Sequence, residues 1–133
     1  MASPQEAIYG RLNARSGVTA YTSNRIYPHV VPQNAKLPVV VYFQVSDPRE
    51  HAFLGDPNIA HPRFQVSCFS TSYSELRALS KQVRYALQDY TGTTWCNVKR
   101  MFFDDETELS EIDPEGKTVT YQAAQDYIIW WST

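Results

Sequence analysis

Between Arg63 and Tyr90 the spacing of apolar residues changes once, and that change constrains the fold more than any other feature of the chain. In RFQVSCFS, Phe64, Val66 and Cys68 point one way and Arg63, Gln65 and Ser67 the other, the period of a strand with one wetter face. Directly afterwards Leu76, Leu79, Val83, Ala86, Leu87 and Tyr90 recur at helical spacing, while Arg77, Lys81, Arg84 and Gln88 take other faces. Ser72 with Glu75 three residues on forms a capping box, and Gly92 suits the exit. The spacing therefore predicts a helix over residues 73–90. A helix that is apolar on one side needs a sheet to cover, which points to a layered α+β domain.

The rest of the chain fits that frame. Ser3, Pro4 and Glu6 form a second capping box with proline at the first helical position, Ile8 and Leu12 share a face, and Gly17 suits that helix's exit. Residues 22–38 hold three prolines and read as an extended connector. Val39–Val45 is β-branched and aromatic, a strand covered on both faces or nearly so. Residues 46–62 read as a long loop whose apolar Phe53, Leu54 and Ile59 suggest packing on something, such as a partner. A strand over 97–103, an acidic loop, a turn at Asp113-Pro114-Glu115-Gly116 and a final strand complete the chain. The expected order is α-β-β-α-β-β-β, a mostly antiparallel sheet with two main helices, in one domain over residues 1–133.

The final strand sets a problem of its own. In AQDYIIWWST, alternation places Tyr127, Ile129 and Trp131 on one face and Ile128 and Trp130 on the other. One set covers the core under the helices. The other needs a cover that a single copy does not offer, so Trp130 and Trp131 are candidate interface residues together with Phe53, Leu54 and Ile59.

Charge is distributed unevenly. Residues 1–100 carry eleven Lys/Arg against six Asp/Glu, and residues 101–133 one Lys against eight Asp/Glu, so a net −2 hides +5 and −7. Most of the acid lies in Asp104, Asp105, Glu106, Glu108, Glu111, Asp113 and Glu115. Paired carboxylates can hold Mg²⁺ or do acid–base work, but these lack an EF-hand frame, and a solvated loop holds catalytic groups poorly. Repelling a polyanion or meeting a basic partner suits them better.

Other chemistry finds no support in the sequence. No phosphate-binding glycine loop, nucleophile elbow or kinase signature occurs. Cys68 and Cys96 form no CxxC, and Cys68 reads as a small buried hydrophobe. His51 and His61 could share a metal only if their loop folded back, and neither has a second ligand at metal-binding spacing. The basic stripe on the second helix, in a chain of pI near 5.9, reads as a solvated face rather than a nucleic-acid site. No segment is long and apolar enough to span a bilayer, and the amino terminus lacks signal-peptide character. The expectation is a soluble, cytoplasmically made protein with no catalytic site, metal or cofactor.

Several short patterns occur in order: AIYGRL, then RIYP and PQNAKLPVVVYFQVS, then RFQVSCFSTSYSELRALSKQVRYAL, and finally AQDYIIWW. Together they resemble the tail completion, or tail terminator, proteins of long-tailed bacteriophages and related gene-transfer particles, over nearly the whole chain. The resemblance implies an α+β virion protein that is not an enzyme. It implies a homo-oligomeric ring, typically a hexamer, that caps the head-proximal end of the tail tube, stops tube polymerisation and offers a docking surface to the head–tail connector. DNA would pass through the lumen without specific binding, and no membrane is involved. Assembly would take place in the host cytoplasm. In such a ring the acidic residues Asp104, Asp105, Glu106, Glu108 and Glu111 would face the lumen or a partner. Two other readings stay open: an adaptor of the neck of similar size, and a small metal-dependent hydrolase using the acidic cluster at 104–115.

Overall fold

A computed structural model of the chain describes residues 3–32, 35–47, 59–112, 114–116 and 118–132. Three helices, α1 (Pro4–Ala14), α2 (Ser16–Thr22) and α3 (Tyr73–Leu87), accompany six strands: β1 (Ile26–Pro28), β2 (Val39–Ser46), β3 (Ile59–Ala60), β4 (Arg63–Ser70), β5 (Asn97–Ile112) and β6 (Val119–Ser132). The strands form one sheet in the order β1-β2-β4-β6, with β5 on the far side of β6. Only β1 and β2 pair in parallel, so the α+β, mostly antiparallel reading holds.

Local signals explain the helix starts. The Ser3 hydroxyl accepts from the Glu6 amide and the Ser72 hydroxyl from the Glu75 amide, so both capping boxes form. The first helical stretch differs from expectation because it breaks in two. Arg15 adopts an extended conformation that ends α1 and begins α2, and its guanidinium is held on α3 by Gln82 Oε1 at 3.0 Å. Gly17, expected at a helix exit, lies within α2, where a Cβ would collide with the Gln82 side chain. The third helix stops at Leu87 rather than residue 90. Asp89 takes a left-handed φ of 62° and donates its amide to the Met101 carbonyl, so the chain has already begun to pair with β5.

All three helices pack on one face of the sheet. That face contributes Val40 and Tyr42 from β2, Phe64, Val66 and Cys68 from β4, Ala123, Tyr127 and Ile129 from β6, and Val98 and Met101 from β5. Ala7, Ile8, Leu12, Val18, Leu76, Leu79, Val83, Ala86 and Leu87 meet them from the helices. At roughly 1.5–3 kcal/mol for each large apolar side chain fully buried, this layer is the main source of stability. Val39 to Tyr42 are all buried and Gln44 to Ser46 exposed, so β2 is covered on both faces over its first half only.

Two strands depart from the sequence reading. β3 continues the β4 ladder beside β6 in the same register, interrupted at His61 and Pro62, where the Ile129 amide donates to the Pro62 carbonyl. The acidic run expected on a loop belongs instead to β5, which pairs with β6 from Asn97↔Ser132 to Ile112↔Val119 through two register shifts. The connection shrinks to the turn after Ile112, with Gly116 at φ 73°. After α3 there are thus two long strands where three were expected. Pairing with β6 overrides the weak strand propensity of Asp and Glu.

Candidate assembly surface

The face of the sheet opposite the helices has a distinct patch at one end. Trp130 is 37% exposed, and its ring stacks on His61 with centroids 4.7 Å apart. Trp130 pairs with Arg100, Ile128 pairs with Arg63 on one side and Phe102 on the other, and Ile59 pairs with Ser132. Period-two alternation puts all of these side chains on the same face. Ile59 and Phe102 are 41% and 44% exposed. The patch is therefore apolar at its centre, with arginines at its margin, the composition of an interface core and rim.

Trp131 behaves differently from its neighbour. It packs against the core cluster beside Val98, its partner in β5. The question of which tryptophan is internal is thereby answered: Trp131 faces in and Trp130 out. Ile59 and Trp130, named from sequence, come together in one patch. Phe53 and Leu54 lie outside the described residues, as does His51.

The five acidic candidates do not form one cluster. Asp104 pairs with Arg63, which also approaches Asp126 at 3.9 Å. Asp105 Oδ1 accepts from the Glu106 amide at 2.8 Å, next to a register shift in β5. Glu106 and Glu108 turn to the helix side and meet Arg77 at 2.9 and 3.5 Å. Glu111 is exposed near the end of the hairpin. Alternation along a strand separates them onto two faces, which a loop reading could not anticipate.

Beneath Arg77 lies a polar chain that sequence reasoning missed. Gln125 is buried, donating to the Ser80 carbonyl at 2.9 Å and to Glu106 Oε2 at 2.8 Å, while the Tyr127 hydroxyl donates to Gln125 Oε1 at 2.6 Å. Burial resists ionisation of Glu106, but the hydrogen bonds from Arg77 and Gln125 outweigh it and hold the carboxyl below the ordinary glutamate value. Burial pushes the Tyr127 phenol up, so it stays a donor. The available signal was Gln125 itself, a polar residue at an inward position between Ala123 and Tyr127. On the opposite face, burial, together with Asp105 and Asp104, raises the Asp126 carboxyl against the pull of Arg63.

Above this chain a groove of about 580 Å³ runs between α3 and the hairpin, lined by Arg77, Ser80, Lys81, Arg84, Tyr85, Gln88, Glu106 and Gln125. Lys81 lies over the Tyr85 ring and Arg84 over Phe103 at 5.7 and 4.3 Å. Cys68 is fully buried and its thiol is pushed up by that burial, which makes it inert as a nucleophile. Among the described residues no three His, Cys, Asp or Glu side chains converge as a metal site, and no helix is long and apolar enough to cross a membrane.

Comparison with known proteins agrees with this architecture. No curated protein matches the sequence. A chain in the solved structure titled "Virion of native gene transfer agent (GTA) particle" is similar in fold, with TM-score 0.72 at 15% identity, covering 98% of this chain and 96% of that one. The family described as Tail completion protein gp17 matches residues 6–132. A match over nearly the whole length settles the assignment: the chain belongs to the tail completion protein gp17 family, structural proteins of the bacteriophage virion.

Proposed function

We propose that the protein forms a closed ring at the head-proximal end of the tail tube, ends tube polymerisation there and gives the head–tail connector its docking surface. The observation that carries this reading is the patch around Trp130, which the fold leaves exposed on the face away from its own helices. A tryptophan with apolar neighbours and flanking arginines is the kind of anchor on which protein interfaces concentrate their binding energy. In a ring each subunit shows two different surfaces to its neighbours, and a stacked tube adds a third, so an apolar patch on one face has several possible covers.

The acidic residues enter this reading in a reduced role. Glu106 and Glu108 are committed to Arg77 and Asp104 to Arg63, so the bare acidic lining imagined for a DNA-conducting lumen shrinks. A partner-facing role is kept for Glu111, and DNA passes through the lumen without specific contacts. The polar chain around Glu106 supports folding, and catalysis has no part in the proposal.

The test is solution mass by light scattering, with and without tail-tube protein, together with the length distribution of tubes polymerised in its presence. Ring-sized assemblies and tubes of arrested length are expected. A protein that stays monomeric on tubes and leaves their length unchanged overturns the reading. Binding to the connector without any effect on tubes would make it a neck adaptor instead.

A further inference from the structure

The hairpin of β5 and β6 is supported along only part of its length. β6 pairs with β4 as far as Tyr121↔Ser70, so Glu111, Ile112, Val119 and Thr120 pair only with each other and project as an arm. At its base Leu109, 53% accessible, lies on the same face as the Glu111 carboxylate, and Ile112, 64% accessible, lies on the other face.

The groove beside α3 has the opposite character. Lys81, Arg84 and the half-exposed Tyr85 form its wall, and the one carboxylate on its floor, Glu106, is already neutralised by Arg77. Cationic heads over aromatic rings present both an apolar surface and positive charge. The arm of the same molecule cannot fill it. Its Leu109 and Glu111 alternate with Glu106 along β5, so they point to the face of the hairpin away from the groove.

We infer that the outer face of this arm in one copy docks into the α3 groove of the next, with Leu109 against Tyr85 and Glu111 against Lys81 and Arg84. The two surfaces differ, so the contact is heterologous and repeats head to tail. Repeated in that way, it closes into a ring or runs on as a filament. The inference rests on the ring reading above and names the surfaces that build it. It also explains the charge division of the chain: the basic residues of the groove belong to the +5 segment and the arm to the −7 segment.

Two reversals test it, Lys81→Glu with Arg84→Glu in the groove and Glu111→Lys with Glu115→Lys on the arm, all at exposed positions. Each pair alone is expected to reduce ring formation on tail tubes at least tenfold, and the four combined to restore it. A chain carrying both Tyr85→Cys and Leu109→Cys is expected to yield a ladder of disulfide-linked multimers on oxidation. If the wild-type protein forms rings while either reversal is silent, or the combined variant fails to recover, or no ladder appears, the docking inference falls and the ring reading stands. If the wild-type protein never assembles, alone or on tubes, both fall.

Discussion

The two halves of the β5–β6 hairpin are paired in the same way and live in different surroundings. In the proximal half, Val98, Met101 and Ile129 are buried under the helices, and the free edge of β5 is covered by the segment after α3: Gly92 exchanges both hydrogen bonds with Val98, and the Met101 amide reaches the Tyr90 carbonyl. In the distal half, Glu108 to Ile112 are all exposed, and at its start the Asp105 carboxylate accepts from the Glu106 amide. Identical ladders thus serve as core at one end and as projecting surface at the other. Cover, rather than pairing, decides which. Charged residues at the distal end also discourage indiscriminate edge-to-edge association.

The sharpest way to break this contrast is to delete the same atoms at both ends. Ile129→Ala should cost about 2–5 kcal/mol, as a fully buried isoleucine does, and Ile112→Ala should stay within about 0.5 kcal/mol, both read from urea midpoints. Comparable losses would mean that the arm is packed after all. Next in size come the tryptophans. Trp131→Ala should cost about 2 kcal/mol or more through lost core contact, whereas Trp130→Ala should leave the midpoint nearly unchanged and impair assembly on tubes. If both behave alike, the two faces of β6 are not functionally distinct.

Smaller effects come from the junction between the halves. The Glu106 carboxyl is lowered on folding, so its contribution is present above the ordinary glutamate value and is lost as pH falls through the folded value. Glu106→Gln should therefore lower stability at neutral pH and flatten the acid limb of the stability curve. An unchanged acid limb would remove Glu106 from the network. Asp126 has the opposite sign: its carboxyl is raised, so ionisation opposes folding as pH rises through the folded value. Asp126→Asn should give a slight gain at neutral pH, visible as a small rise in melting temperature, and a loss would show that its contact with Arg63 matters more than its burial.

How much of this was legible depended on how local each signal was. Both capping boxes, the strand–helix junction at Ser70–Tyr73 and the inward set Tyr127, Ile129 and Trp131 are written within a few residues and could be read directly. The break at Arg15 was not, because it depends on Gln82 reaching across from α3. The three-residue β1 hides in a proline-rich connector, since the strand it pairs with, β2, lies fourteen positions on. The acidic strand was mistaken for a loop because its composition opposes strand formation and its partner β6 supplies the pairing. Of the site, Trp130 and Ile59 were nameable, but their meeting in one patch needed β3 to resume the β4 register, a fact of topology rather than of pattern.

The position of β6 in the sheet has a consequence for biosynthesis. It lies between β4 and β5, which do not pair with each other, and it is the last of the six strands to leave the ribosome. Until residues 119–132 emerge, β1, β2 and β4 can pair with one another, while β3 and β5 both lack the strand they pair with. Pairings between segments distant in sequence are also the slow ones. The sheet therefore closes late, and an interrupted chain would have neither a finished core nor a correctly held arm. In the ring proposed above, incomplete copies would thereby be kept out of an assembly in which one faulty subunit spoils the contacts on either side of it.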